Sequence, residues 1–316
     1  MKATTITQMS NSELFHRSSS GVFPIGVWHS SGTETIFEWE TVQPGQKLGP
    51  FEWTVEAYEA AILCYQIEVK DTRFLPVRGK ADVTVHPFIA SRASSTVLYG
   101  HYIPWTGAFL DYEHVISWNR PLICGSPVVL TGEITRKYEK RDRLYLEWST
   151  ECRDHDSNIL FKVRQSVVSP RLHREESRSS PAASSTPAAP ELSTEDLEEI
   201  DAREIYCYLG WSRRHSYPPH PNLHTDSELA KRAGLPGVVM QGAVLGAQII
   251  QAAVDHFGER FCYGSTVSFK LVRPIPTESR HKLRVYRNKS DDSLNMRLED
   301  GSGQTLVVGF AARNGE

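Results

Sequence analysis

Two periodicities take turns along this chain. Runs in which apolar and polar residues alternate one by one mark strands with one buried face. They fall into two groups. The first comprises "PVVLTGEITRKY" (Pro127–Tyr138), "RLYLEWSTEC" (Arg143–Cys152) and "ILFKVRQSVV" (Ile159–Val168). The second comprises "YGSTVSFKLV" (Tyr263–Val272), "HKLRVYR" (His281–Arg287), "LNMRLED" (Leu294–Asp300) and "TLVVGFAAR" (Thr305–Arg313). The segments between them, such as "EKRD", "DHDSN", "KSDD" and "DGSG", are rich in residues that tolerate turn backbone angles.

Helical spacing precedes each group. "WTVEAYEAAILCYQIE" (Trp53–Glu68) predicts a helix, followed by an irregular stretch through "DVTVHPFIASRASS" and a short apolar segment, "YIPWTGAFLDYEH" (Tyr102–His114). In the second half an irregular proline-rich stretch leads into Gly237–Phe257, the most apolar part of the chain. Gln241, Gln248 and Gln251 interrupt it, which predicts a helix buried inside a domain rather than a membrane span. Each half therefore reads as helix, loop, buried helix and several long antiparallel strands. A local phrase recurs where each strand run begins: "NRPLICGSPVVL" in the first half and "VRPIPTESRHKL" in the second.

Between the halves, His173–Glu199 is rich in Ser, Ala, Pro and Glu without apolar periodicity. Such a segment cannot bury enough surface to offset its ordering entropy. It predicts a linker, with "STEDLEE" starting a short helix capped by Ser193. The expected organisation is a flexible N-terminus over 1–29, a first domain over 30–170, a linker over 171–197 and a second domain over 198–316. A long apolar helix needs cover on most sides, and a curved antiparallel sheet can wrap it. The fold class expected is α+β, a double hotdog.

Composition narrows the function. The chain has 316 residues, 23% charged and 40% hydrophobic, with a formal net charge of −3. No block of Lys and Arg appears, so nucleic acid is not an expected partner. Five cysteines occur without a CxxC pair, which argues against a disulfide framework or zinc knuckle and for a reducing compartment. They are expected as buried small apolar residues. The first twenty residues lack the apolar core of a secretory signal, and Glu13 with scarce arginine argues against a mitochondrial presequence. The cytoplasm is the expected location, with mitochondrion or peroxisome as alternatives. No G-x-S-x-G elbow, P-loop or dinucleotide-binding glycine fingerprint is present. No cofactor is expected.

The one stretch that looks chemical is "YPPHPNLHTDSELAKRAGLPG" (Tyr217–Gly237). His220 and His224 sit four apart, but Pro218, Pro219 and Pro221 forbid the helix that would align them as metal ligands with His215 and Asp226. No metal is expected. The continuation "NLHTDSELAKRAGLPGVVMQGAVLGA" resembles the MaoC-like (R)-specific enoyl-thioester hydratase/dehydratase family. The matching positions are Leu223, His224, Asp226, Ala230, Gly234, Leu235, Pro236 and Gly242. The first half resembles that family's degenerate first hotdog, with "VHPFIASRAS" around His86 a faint echo of the active-site segment. Two departures stand out. The family's aspartate, five residues before the histidine, is Pro219 here, or His220 if one residue is missing from the loop. Gln241 stands where many members have a histidine.

The resemblance implies water addition or removal at a double bond conjugated to a carbonyl, on an acyl thioester or polyketide-type substrate. That chemistry needs a base, an acid and a stabiliser of charge on the carbonyl oxygen. His224 is the expected base, assisted by His220 and Asn222. Gly242 is expected to offer an oxyanion amide at the helix start. Gln241 and Asp226 join the binding set, although Asp226 also suits the N-cap of "SELAKRAG". His101, Tyr102, Trp105 and Asp111 are expected to line a substrate tunnel. The missing carboxylate opens two alternatives: an isomerase or cyclase, and a non-catalytic acyl-binding subunit. Pairing of sheet edges makes a homodimer a further expectation.

Overall fold

The alternating runs form strands where the pattern places them. The computed structural model describes residues 35–36, 39–69, 71–76, 83–103, 109–169, 196–215 and 221–313. The first half contains β1 (Thr35–Ile36), β2 (Lys47–Thr54), α1 (Ala57–Gln66), α2 (Ile89–Tyr99) and β3 (Tyr102–Ile103), then β4 (Leu110–Trp118), β5 (Pro127–Glu139), β6 (Leu144–Asp154) and β7 (Ile159–Val168). The second half contains β8 (Leu197–Cys207), α3 (Leu209–His215), α4 (Ser227–Arg232) and α5 (Gly242–Phe257), then β9 (Ser265–Leu271), β10 (Ser279–Asn288), β11 (Leu294–Glu299) and β12 (Thr305–Arg313).

Ten strands make one antiparallel sheet in the order β2-β5-β6-β7-β4-β9-β12-β11-β10-β8, while β1 and β3 form a short parallel pair. The two halves meet at β4 and β9, which pair from Glu113 with Lys270 to Trp118 with Ser265. Each half wraps its sheet around one buried helix: α2 against β5, β6 and β7, and α5 against β4, β9 and β12. This is the double hotdog the patterning leads to. No helix among the described residues is long and apolar enough to cross a membrane.

Close approach of α5 to the sheet dictates its glycines. A Cβ at Gly246 would lie 2.1 Å from the Phe269 ring, and one at Gly242 would lie 2.3 Å from Leu271 Cδ2. The helix is buried along nearly its whole length, and only glycine lets its backbone approach β9 this closely.

Three sequence expectations need correction. Trp53 and Thr54 belong to β2, so the first helix starts at Ala57. The segment "STEDLEE" does not give a helix in its described part: a strand, β8, begins at Leu197. Ser193 and the linker residues 170–195 lie outside the described residues. The buried helix of the first half is Ile89–Tyr99, inside the stretch read as irregular, whereas Leu110–Trp118 is a strand.

The reason is composition. Helix α2 carries Ser91, Arg92, Ser94, Ser95 and Thr96, all buried. Several of these polar groups find partners, which offsets the cost of their burial. Ser91 Oγ lies 3.2 Å from His114 Nδ1, Thr150 Oγ1 donates to Ser94 Oγ at 3.4 Å, Gln165 Nε2 donates to Ser95 Oγ at 3.3 Å, and Arg92 Nη2 donates to Gln66 Oε1 at 3.2 Å.

Candidate active site

His224 sits in a tight turn that its own neighbours build. Asn222 Oδ1 accepts the His224 backbone N–H at 3.0 Å, and the Asn222 carbonyl accepts N–H groups from Thr225 and Asp226. Asn222 thus holds the turn, as Asn does when it bonds backbone two residues on. Asp226 accepts the Leu229 N–H at 2.9 Å and caps α4, so its carboxylate serves the helix. Ser212 Oγ on α3 donates to the His224 carbonyl at 2.8 Å.

The imidazole itself is fixed from the other side. Its Nδ1 lies 2.9 Å from the Val239 carbonyl oxygen. A carbonyl can only accept, so Nδ1 carries the proton and Nε2 keeps a lone pair. Val239 is in turn anchored on either side, because the Met240 N–H donates to the Ile275 carbonyl at 2.8 Å and the Thr277 N–H to the Val238 carbonyl at 3.0 Å. Burial pulls the His224 pKa down to about 4, against the opposing effects of the Val239 carbonyl and the Asp111 charge. The ring is therefore neutral near pH 7.

Asp111 is the second residue of β4, on the other half of the chain. Its Oδ1 accepts from Gln165 Nε2 at 3.0 Å and from His114 Nε2 at 3.3 Å, while its Oδ2 accepts the Ala243 N–H at 3.2 Å. Burial alone would raise the Asp111 pKa. The hydrogen bond and charge of His114, Gln165 and the nearby His224 outweigh it, and the carboxyl stays below its ordinary value. His114 is held by stacking on Phe269, with ring centroids 4.5 Å apart. Leu110, before Asp111, and Leu223, before His224, pack on one apolar cluster of Ala230, Leu235 and Val239. That cluster brings the two segments together.

The α5 N-terminus lies in the same place. Gln241 is its N-cap residue, buried, with no side-chain cap hydrogen bond. Gly242 begins the helix, and its Cβ position would fall 3.0 Å from Asp111 Cβ. The Ala243 amide is taken by Asp111. The Gly242 amide makes no hydrogen bond among the described residues.

His215, on which His224 acts electrostatically, meets Arg92. Arg92 Nη2 lies 2.8 Å from His215 Nδ1. Burial, together with the charges of Arg92 and His224, holds the His215 pKa well below its usual value.

The remaining expected residues scatter. Tyr102 is buried and donates its hydroxyl to Gln46 Oε1 at 2.5 Å. His101 Nε2 accepts the Gly49 N–H at 2.8 Å. These contacts tie both residues to the start of β2 rather than to His224. His86 is fully buried; it accepts the Phe88 N–H through Nδ1 and meets Gln251 Oε1 at 2.9 Å through Nε2. It is a packed core histidine. His220 and Trp105 lie outside the described residues. Among the described residues no three His, Cys, Asp or Glu side chains converge as a metal site would need. The cysteines are free; Cys124 is half-buried and the other four are buried. Burial pushes the thiols of Cys64, Cys207 and Cys262 up to about 12, which leaves them poor nucleophiles.

Sequence reading missed Asp111 as a partner of His224. It stood only among tunnel-lining residues, because nothing local links "LDYEH" to "NLHTD". Gln165 and His114 carried no signal beyond a place in a strand.

Comparison with known proteins yields likeness in structure alone. No family model and no curated protein matches this sequence. Among solved structures, a MaoC-like dehydratase superposes with a TM-score of 0.64 at 14% identity, over 88% of this chain and 100% of its own. HtdX of Mycobacterium tuberculosis superposes at 0.60 and 15% identity, over 85% and 100%. A conserved Mycobacterium tuberculosis protein described as having a double hotdog fold superposes at 0.51 and 10% identity, over 88% and 98%. The chain thus shares the double hotdog fold of the MaoC-like dehydratases.

Proposed function

We propose that this chain is a hydro-lyase, adding water to or removing it from the double bond conjugated to the carbonyl of an acyl or polyketide-type thioester. The observation that carries this reading is the placement of His224. Its Nδ1–H is fixed on the Val239 carbonyl, which leaves a lone pair on Nε2, and Val239 lies just before the start of a buried helix. The shared fold with proteins described as dehydratases supports the same reaction class.

In the hydration direction, His224 Nε2 takes a proton from water as the oxygen attacks Cβ. The π electrons move toward the thioester carbonyl, and its oxygen gathers charge. The Gly242 N–H at the positive end of α5 meets that charge. A proton returned to Cα completes the addition, so no redox partner or net proton is required. Asn222 keeps the His224 backbone in place. His220 is assigned an assisting role on its sequence position alone.

The test is turnover of trans-2-enoyl thioesters of several chain lengths by the wild type and His224→Ala. General acid–base groups contribute about 10²–10⁴-fold. A loss of that size in kcat supports the assignment, and near wild-type turnover by the variant contradicts it.

A further inference from the structure

The loop that carries the base has no carboxylate where the resemblance calls for one. Pro219 stands there, or His220 in the shifted register. The fold brings a carboxylate to the same helix end from the opposite half of the chain. We propose that Asp111 is the carboxylate of this site, holding the reacting water, or the departing hydroxyl, opposite His224. This rests on the hydro-lyase reading above.

Water has two O–H groups. One goes to His224 Nε2, the base; the other needs a fixed acceptor, or the water rotates freely. An ionised carboxylate offers about four lone-pair positions. Among the described residues, Asp111 uses three: Gln165 and His114 on Oδ1 and the Ala243 amide on Oδ2. One position remains, on the oxygen that touches the helix start. The side chain retains 20% of its accessible surface. Asp111 and His224 interact electrostatically. Their preceding leucines share one apolar cluster, which fixes the two segments against each other.

The surroundings hold Asp111 still. His114 is wedged between Ser91 Oγ and the Asp111 carboxylate, with Phe269 stacked on its face. Gln165 braces from β7 while also donating to Ser95 on α2. These groups are buried and are positioning residues. Ser91 is itself buried.

The step balances without a co-reactant. Addition forms a Cβ–O bond and a Cα–H bond, and it breaks one water O–H bond and the C=C π bond. The proton leaves water for His224, and Asp111 accepts the other O–H throughout without itself being protonated. Its negative charge also favours the imidazolium that forms on His224. The pairing further explains how a loop without its own carboxylate can handle water, which removes the ground for preferring isomerisation or cyclisation.

The experiment compares wild type, Asp111→Asn and His224→Ala on crotonyl, hexenoyl and octenoyl thioesters of coenzyme A, with thermal unfolding as the check of fold. The expected result is a kcat loss of about 10²–10³-fold in Asp111→Asn with KM within about threefold. A second variant, Asp111→Ala, is assayed with and without added formate. Restoration of turnover that saturates with formate is expected, because a free carboxylate can occupy the vacated space. Folded Asp111→Asn with kcat within threefold of wild type, while His224→Ala is inactive, overturns the role of Asp111 alone. A wild type that hydrates none of the three thioesters overturns the hydro-lyase reading, and this assignment with it.

Discussion

The carboxylate of Asp111 accepts the backbone N–H of Ala243 at 3.2 Å. One residue lies near the start of a strand of the first hotdog; the other lies in the first turn of the central helix of the second. An anion at a helix N-terminus is favourable because free N–H groups and the dipole end meet it there. The contact therefore stabilises the junction of the halves and places a negative charge beside His224.

Gly246→Ala tests how tightly that junction is packed. The added methyl would meet the Phe269 ring at 2.1 Å, and Phe269 stacks on His114, which donates to Asp111. Helix propensity favours Ala over Gly by about 1 kcal/mol, but overpacking costs about 1–3 kcal/mol. A net loss of stability is expected in urea unfolding, together with lowered kcat. Unchanged stability would show that Phe269 moves freely.

Asn222→Ala removes the acceptor of the His224 N–H. A stability loss of about 1 kcal/mol is expected. Turnover should fall about tenfold, because the imidazole loses its fixed direction, while the pH at which activity fails stays put. Steady-state kinetics across pH separates the two effects.

The acid limb of activity reports the base. His224 must be neutral to take a proton, and burial holds its pKa down to about 4. The kcat/KM profile should stay flat down to about pH 5 and fall through about pH 4, instead of breaking near 6.5. The Asp111 charge raises the His224 pKa, so Asp111→Asn should move the limb to lower pH. A limb near 6.5 in the wild type would mean that another group titrates.

Stability should fall with acid for the same reason. His86 and His224 are held near 4, and His215 well below its usual value, all primarily by burial. Above pH 6.5 both folded and unfolded states leave these rings neutral. As pH falls from 6.5 toward 4, the unfolded chain takes up protons that the folded one refuses, so stability declines across that window. For His86 alone the loss at pH 5 is about 2 kcal/mol. Denaturant unfolding at pH 8 and pH 5 measures it, and His86→Phe should reduce the difference.

Much of the architecture was legible because alternation is a local signal. Ile159–Val168 and Thr305–Arg313 are strands with the bounds their patterns give. The helix Gly242–Phe257 was legible for the opposite reason, being apolar over most of its length. The first half's helix was hidden because Ser91, Ser94 and Ser95 are buried with partners that lie far along the chain, on β4, β6 and β7. The same holds for the site. His224, Asn222 and Gly242 lie in one short motif and could be read together. Asp111 joins them only through the pairing of β4 with β9 and the cluster around Val239, which no local spacing encodes.

The most direct measurement follows oxygen. The protein is incubated with crotonyl thioester in ¹⁸O-labelled water, and the 3-hydroxyacyl product is weighed by mass spectrometry. One labelled oxygen in the product, formed by the wild type and lost in His224→Ala, is the expected result. Conversion at unchanged mass, or labelling that persists without His224, would contradict the hydro-lyase assignment of this site.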